Sequence, residues 1–323
     1  MKFILQTYRH LFLILAVGFV FSVGAQDYPN RPIKIIVPYP PGGVTDIATR
    51  FVAVKLGESF GQPVIVENMP AAGGVVGTNR VAKAAPDGYT LMAAFDSFAT
   101  NPFMYRGVEH DPIKDFAPIS LMVRSPQLLV VHHSTGAKTI ADLVRLAKDK
   151  GDQIAFATPG AGTSSRLSSE LFKQMAGVDI TLVSYKGGAP ALNDLLGGQV
   201  SGMIVSMSLV LQHVQQGRLV ALGVSSPGRN SILPNVPPIA DTFSGFEAQS
   251  WSGMIAPTGT PKPIIDKLNQ GIVKALQSSE AREKFSSQGV EIVASSPQVF
   301  GELITKEGNR WGAVIRRLKI SVD

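Results

Sequence analysis

The sequence contains no cysteine. This absence excludes disulfides, thiolate metal sites, iron–sulfur clusters and a cysteine nucleophile, and it leaves no cysteine that could carry a lipid. Three enzyme signatures are missing as well: the GxSxG nucleophile turn, the HExxH zinc helix and the phosphate-loop lysine motif. The sequence therefore gives no direct sign of a hydrolase, a zinc protease or a nucleotide enzyme.

Charge of either sign is modest. Charged residues make up 17% of the 323 and hydrophobic residues 45%, which is typical of a packed globular chain and argues against disorder. The basic residues are scattered without interleaved aromatics, which argues against nucleic-acid binding. The length is enough for two domains of roughly 100–200 residues each.

Long apolar runs are confined to the N-terminus. Lys2 and Arg9 precede LFLILAVGFVF, and the small residues Val23-Gly24-Ala25 follow it. This order predicts a secretory signal peptide over residues 1–25 rather than a membrane anchor, because the run is shorter than the roughly 20 residues that span a bilayer. Cleavage lowers the formal charge from +6, since two bases and no acids are lost. We expect a soluble protein of the bacterial periplasm that is not a lipoprotein.

Strands and helices are predicted to alternate along the rest of the chain. A first group has the order βαβαβ, which implies a mostly parallel sheet covered by helices. Its strands are predicted at 33–37, 63–68 and 90–95, and its helices at 46–56 and 75–84.

The pattern then starts again and predicts a second α/β unit. Its strands are predicted at 128–132, 153–157, 180–185, 202–206 and 218–224. Its helices are predicted at 140–148, 165–175 and 191–196, and a further helix follows the strand at 202–206 and ends near residue 216. Residues 225–243 are rich in Pro, Ser and Asn and indicate a surface connection. Two further helices are predicted at 263–277 and 297–317.

Four predicted strand-to-helix loops share one chemistry: PPGG (40–43), PAAGG (70–74), PGAGTSS (159–165) and KGGAP (186–190). Ligands of parallel α/β sheets bind where such loops meet helix N-termini, and those termini favour anions. Two loops belong to each unit, so together they could hold a small anion between two domains. Ordinary turns are the alternative for each loop taken alone. GAGTSS departs from the dinucleotide fingerprint, because Ser165 replaces its third glycine.

At this point the chain resembles a known family, the periplasmic solute-binding proteins of tripartite tricarboxylate transporters, called the TctC or Bug family. The resemblance runs from Tyr28 to the C-terminus. It rests on YPNRPIKIIVPYPPGGVTDIATR, VENMPAAGGVVGTNRVAKAAPDGYTLM, DFAPISL, FATPGAGTSSRLSSELF, VSYKGGAPALNDLLGGQV and LPNVPPIAD.

The resemblance implies a two-domain α/β clamshell of the type II periplasmic fold, with a mostly parallel sheet flanked by helices in each domain. Residues 26–125 and 245–323 would form the first domain and 126–244 the second, with crossings near Arg124–Pro126 and Gly245–Trp251. It implies that the ligand is a small carboxylate, such as a diacid, a citrate-like acid, an acidic amino acid or an aromatic acid. The expected partners are that ligand and the membrane permease subunits of the transporter. We expect a monomer without cofactor or metal.

The family's ligand-binding positions transfer onto residues of both domains. Asp46 is expected to accept N–H bonds and fix its loop rather than to touch the anion. The expected site residues of the first domain, Asp46 included as the loop organiser, are Tyr39, Pro41, Gly42, Gly43, Asp46, Asp96, Ser97 and Thr100. Those of the second domain are Thr158, Gly160, Thr163, Ser164, Arg166, Tyr185, Gly188 and Ala189.

Three departures from the family pattern bear on the ligand. Arg166 replaces a frequent histidine and either grips a carboxylate or lies exposed on its helix. Val205 replaces a frequent acid, which disfavours a ligand amino group. Asp96 replaces a small polar residue and either receives an amino or hydroxyl group or caps a turn. Together they favour a dicarboxylate or aromatic acid over an amino acid.

Two functions of other classes are alternatives to transport. A sensor component that presents the same ligand to a kinase would have the same fold. A periplasmic hydrolase is disfavoured, because no base accompanies the serines of SSRLSS. His132-His133 and the pair Met203 and Met207 are interpreted as structural rather than as metal ligands.

Overall fold

The computed structural model describes residues 28–160 and 162–322, so the predicted signal peptide lies outside the described residues. The chain divides into two units, Met1–Asn30 and Arg31–Asp323. Only Tyr28–Asn30 of the first unit is described. The architecture below is that of the second unit.

The first predicted group of strands and helices is present. β1 pairs in parallel with β2 on one side and β3 on the other, so that Ile35 lies opposite both Val66 and Leu91. IKIIV is buried because both faces of the sheet are covered. The elements are β1 Ile33–Val37, α1 Val44–Phe60, β2 Val64–Asn68, α2 Val75–Ala82, β3 Thr90–Phe95 and the short α3 Ser97–Thr100.

The second group is also present, with bounds shifted by a few residues. Its central strand β5 pairs in parallel with β6 and β7. The elements are α4 Ile140–Lys150, β5 Ala155–Thr158, α5 Ser164–Ala176, β6 Thr181–Ser184, α6 Gly188–Leu196, β7 Gly202–Ser206, α7 Met207–Gln215 and β8 Val220–Val224. A single 3₁₀ turn at Ile239–Asp241 interrupts the predicted connection.

Two long antiparallel strands join the two groups. The sequence predicted a strand that begins only at Leu128, whereas β4 spans Phe116–Val131. The second long strand, β9 at Gln249–Pro257, was not predicted. β4 pairs with β9 as far as Pro126 and with β7 from Gln127 onward. β8 pairs with the same end of β4. The strand order is β2-β1-β3-β9-β4-β7-β5-β6, so the predicted α/β fold is confirmed as a mixed sheet with parallel and antiparallel parts.

The C-terminal segment packs on the first group and reaches the second. Its elements are α8 Lys262–Leu276, α9 Ser279–Ser286, β10 Glu291–Ile292 and α10 Pro297–Leu318. Phe300 of α10 lies edge-to-face on Trp251 of β9, with ring centroids 5.5 Å apart. Farther along α10, Trp311 and Ile315 join the core that contains Phe156 of β5. Among the helices of the described ranges, none has the length and apolarity to cross a membrane.

Candidate functional site

A cavity of about 850 Å³ opens at the carboxyl ends of β1, β3, β5, β6 and β7. Loops of both strand groups line it, including all four glycine-containing loops of the sequence analysis. The predicted site residues that line it are Tyr39, Pro41, Gly42, Gly43, Asp46, Ser97, Gly160, Thr163, Ser164, Tyr185, Gly188 and Ala189.

Five helices begin at the cavity wall. The residues that precede α1, α2, α5, α6 and α7 all line the cavity, and they are Gly43, Gly74, Thr163, Gly187 and Ser206. The first N–H groups of a helix lack intrahelical acceptors and carry a partial positive charge. The cavity therefore receives hydrogen-bond donors from both strand groups, as an anion site requires.

The loop after β1 is held in place by the side chain of Asp46. Its carboxylate accepts the Gly42 N–H at 3.0 Å, the Asn68 amide at 2.9 Å and the Arg50 Nε–H at 3.0 Å. Asn68 also donates to the Tyr39 carbonyl at 3.1 Å. This geometry agrees with the expectation that Asp46 organises the loop.

The same contacts set the ionisation of Asp46. Burial by itself raises the pKa of this carboxyl group, but the hydrogen bonds from Arg50, Gly42 and Asn68 together outweigh it and hold the pKa below its usual range. Asp46 is thus ionised and already paired with Arg50. Its charge is neutralised within the loop instead of repelling an anion in the cavity.

Tyr105 joins the two sides of the cavity. Its ring lies against Gly73 of the PAAGG loop and against Gly162 of the PGAGTSS loop, where a Cβ atom at either glycine would collide with it. Asn101, from the same segment, donates to the Gly73 carbonyl at 3.1 Å. Gly73 has φ +61°, a conformation that glycine adopts without strain. Sequence analysis missed Tyr105, because it lies in no strand-to-helix loop.

The loop before α5 is closed by its own threonine. Thr163 donates to the Gly160 carbonyl at 2.8 Å and accepts the Arg166 N–H at 3.4 Å, which caps the helix. The Gly187 N–H donates to Pro159 at 2.9 Å. These bonds fix the PGAGTSS and KGGAP loops side by side at the cavity.

Tyr185 is fixed by an acid on the following helix. Its hydroxyl donates to Asp194 at 2.7 Å. This hydrogen bond, together with burial, raises the pKa of Tyr185 to about 12, so the phenol stays neutral. Its ring forms part of the cavity wall.

Lys186 and Asp46 are the charged side chains that line the cavity. Asp46 is paired with Arg50, whereas Lys186 is exposed at the rim. Lys186 is therefore the cation nearest to an incoming anion along this wall. The sequence analysis placed it within a candidate loop but did not select it.

Four predicted site residues do not line the cavity. Arg166 turns along α5 to Glu170, with its Nη2 atom 2.8 Å from the carboxylate and its side chain 24% exposed, so it neither lines the cavity nor lies exposed on its helix. Thr100 donates to the Ser97 carbonyl at 3.3 Å, and Thr158 lies within 3.4 Å of the Val183 carbonyl. Both threonines are buried, Thr100 at the end of α3 and Thr158 at the end of β5. Asp96 is buried behind the cavity floor.

The cavity floor is formed by three serines from three elements: Ser164 of α5, Ser206 of β7 and Ser250 of β9. Their hydroxyl oxygens form a chain, with Ser164 and Ser206 lying 3.1 and 3.0 Å from Ser250. Gln127 of β4 donates to Ser164 at 2.7 Å and to Ser250 at 3.3 Å. Ser206 follows the strand-to-helix pattern and could have been found, but Ser250 lies on a strand that the sequence did not reveal.

The histidine pair lies away from the cavity. The rings of His132 and His133 are 4.4 Å apart, and the Nδ1 atom of His132 is 2.8 Å from the Ser134 hydroxyl. Within the described ranges, no three His, Cys, Asp or Glu side chains are grouped in a way that could hold a metal ion.

The chain is similar to known receptors over most of its length. The family model described as "Tripartite tricarboxylate transporter family receptor", TctC, matches residues 48–320. The protein BugT of Bordetella pertussis is 38% identical over 306 residues, which is 94% of each chain.

Solved structures share the fold and include ligand complexes. Rpa4515 of R. palustris, solved with adipate, is 33% identical with a TM-score of 0.86, and the match covers 91% of this chain and 100% of that one. MatC of Rhodopseudomonas palustris, solved with bound malate, is 31% identical with a TM-score of 0.82 and covers 89% and 100%.

Proposed function

Since this chain belongs to the TctC family of tripartite tricarboxylate transporter receptors, we propose that it captures a small dicarboxylate in the cavity and delivers it to a membrane transporter of that class. Proteins of this family are periplasmic solute-binding proteins and not enzymes. The observation that carries the ligand class is the convergence of five helix N-termini, from both strand groups, on one cavity.

Two carboxylates match the two sides of this cavity. One carboxylate would accept N–H groups from the loop before α1, and the other would accept them from the loops before α5 and α6. Lys186 adds a positive charge on the second side. Two similar proteins were solved with diacids, adipate in one case and malate in the other.

An aromatic carboxylate is the second candidate. Tyr39, Phe95 and Tyr105 line the cavity, and the rings of Tyr39 and Phe95 pack edge-to-face at 5.5 Å. Such rings favour an offset or edge contact with an aromatic ligand. The volume is also larger than a short diacid fills.

We further propose that the chain crosses between two domains close to Pro126 and Gln127, where the pairing partner of β4 changes. Residues 26–125 and 245–323 would form one domain and 126–244 the other. Ligand contacts made by both domains would favour a closed form. Small-angle scattering should show compaction with a saturating ligand. An unchanged radius of gyration would contradict closure.

Titration calorimetry of the chain from Gln26 against butyrate, succinate, adipate, citrate and benzoate tests the ligand class. We expect a diacid to bind most tightly. At about 100 times its Kd it should stabilise the protein by about 2.7 kcal/mol. Tighter binding of benzoate would favour the aromatic candidate. Refolded protein that binds none of these acids would refute the proposal.

Removing the charge of Lys186 tests its role at the rim. Lys186→Gln should weaken diacid binding by about fivefold, because an exposed ion pair is worth at most about 1 kcal/mol. Lys306→Gln removes the same charge from exposed α10 and should leave the Kd unchanged. Equal effects of the two variants would mean that only the overall charge of the protein matters.

Delivery needs its own test. Vesicles are prepared with the membrane subunits of a tripartite tricarboxylate-type transporter, and the labelled diacid is added to the solution outside them. The vesicles should accumulate the diacid only when this protein is also present in that outside solution. Uptake that does not depend on the protein would contradict delivery but leave ligand binding intact.

A further inference from the structure

Asp96 is a buried carboxylate without a hydrogen-bonded partner. It follows β3 directly, its side chain is only 5% exposed, and neither oxygen forms a hydrogen bond within the described residues. An unpaired buried polar group is costly, so such an arrangement indicates a role. Ser164 and Ser250 of the cavity floor lie near it and influence its ionisation.

The surroundings of Asp96 disfavour its charge. Burial raises its pKa to about 7, the nearby Ser164 and Ser250 groups oppose this rise, and the charge of Glu307 on α10 adds to it. Tyr39 faces it from the loop after β1 as a neutral phenol, because burial raises the pKa of that hydroxyl. Gln127 of β4 contributes a neutral amide. Within the described ranges, no lysine or arginine pairs with Asp96.

The hydrogen bonds of the floor leave one proton undetermined. The Gln127 amide donates to both Ser164 and Ser250, and Ser206 donates to Ser250. Because the Ser250 oxygen already accepts two bonds, we assign its own proton to the 3.1 Å contact with Ser164. The Ser164 proton is left to point either inward at Asp96 or outward into the cavity.

We propose that Asp96 is a positioning residue that decides, through Ser164, whether the cavity floor offers the ligand a hydrogen-bond donor, so that a carboxylate ligand binds together with one proton. The proposal rests on the proposed function, because it specifies how the same cavity selects its acid.

The two protonation states of Asp96 present different floors. An ionised Asp96 draws the Ser164 proton inward, so Ser164 offers the cavity no donor and a negative charge lies behind the floor. A carboxylate is then repelled. A protonated Asp96 no longer attracts this proton, which is free to turn outward and donate to the ligand. Carboxylate binding and protonation of Asp96 therefore support each other.

The affinity for a diacid should depend on pH in a defined direction. Adipate should bind about 20-fold more weakly at about pH 8.5 than at about pH 6.5, if only the protonated site binds and Asp96 titrates near neutrality. Asp96→Asn is always neutral and of the same shape, so its Kd should be flat over this range. His110→Gln removes the buried histidine of the same strand group and should keep the wild-type slope.

Proton counting tests the coupling without any variant. Calorimetric titrations of the wild-type protein in buffers of different ionisation enthalpy, at about pH 7.5, should show uptake of about three-quarters of a proton for each adipate bound, because about a quarter of the free protein is already protonated at Asp96. A proton uptake near zero would overturn the inference. A pH dependence of the Kd that persists in Asp96→Asn would overturn it as well. If adipate and the other acids fail to bind even at about pH 6.5, the proposed function fails instead. If Asp96→Asn does not fold, the proton count decides.

Discussion

The carboxylate of Asp46 should control the conformation of the PPGG loop after β1. Asp46→Ala leaves the Gly42 N–H and the Asn68 amide without their acceptor. Each unsatisfied buried donor costs roughly 1–3 kcal/mol. Gly42 is exposed and Asn68 half-buried, so we expect a loss of about 1–3 kcal/mol in the free energy of unfolding for both together. Arg50 has a side chain that is 48% exposed and is resolvated at little cost.

The loop that Asp46 holds also lines the cavity, so affinity should fall with stability. We expect diacid binding to weaken at least tenfold in Asp46→Ala, because the loop must be ordered again when the ligand binds. Asp46→Asn keeps one acceptor and should lie between the two proteins. Glu58→Gln, on the exposed face of the same helix, is the matched control and should change neither quantity. Urea denaturation and titration calorimetry measure the two effects.

The acid dependence of stability follows from the lowered pKa of Asp46. A carboxyl group whose pKa is lower in the folded protein stabilises it at pH values above the unfolded pKa, and this contribution is lost as the pH falls through the folded pKa. The difference in stability between wild type and Asp46→Asn should therefore shrink below about pH 4.

In Asp46→Ala, a loss of affinity with unchanged stability would show that Asp46 touches the ligand and does not organise the loop. Unchanged affinity and stability would show that other bonds hold it.

Two further changes test the crossing strands. Ser225 accepts the Gln127 N–H at 2.7 Å and donates to the Ala248 carbonyl, so Ser225→Ala should lower the free energy of unfolding by about 1–3 kcal/mol in urea denaturation. Ser226→Ala changes a hydroxyl of the neighbouring loop and should have little effect. Gly253→Ala would place a Cβ atom against the Phe300 ring and should cost at least about 1–3 kcal/mol by the same measurement, with wild-type stability contradicting the packing.

Local patterns were sufficient for about half of the architecture. IKIIV predicts a buried strand because it is apolar on both faces, and β1 indeed spans Ile33–Val37. PPGG and KGGAP predict loops because their residues end strands and precede helices, and both border the cavity. The family resemblance found from these motifs is confirmed by the match to residues 48–320.

Nonlocal pairing explains what the sequence did not reveal. β4 contains Pro118, Arg124 and Pro126, which interrupt any alternating or continuous apolar pattern. Its pairs with β9 shift register twice, so neither strand has a regular signature. Ser250 could not be placed at the cavity without β9. Arg166 was left with two alternatives because its direction depends on Glu170, one turn farther along α5.

The serine floor lies at the place where the chain crosses between the two strand groups. Ser250 lies on β9 and its amide partner Gln127 on β4, next to the point at which β4 changes partners. Ser164 and Ser206 come from the second group, and Asp96 from the first. A carboxylate on this floor would therefore draw together residues of both groups at the crossing itself. If binding takes up a proton at Asp96, compaction measured by small-angle scattering at a fixed, subsaturating adipate concentration should decrease as the pH rises, and it should not do so in Asp96→Asn.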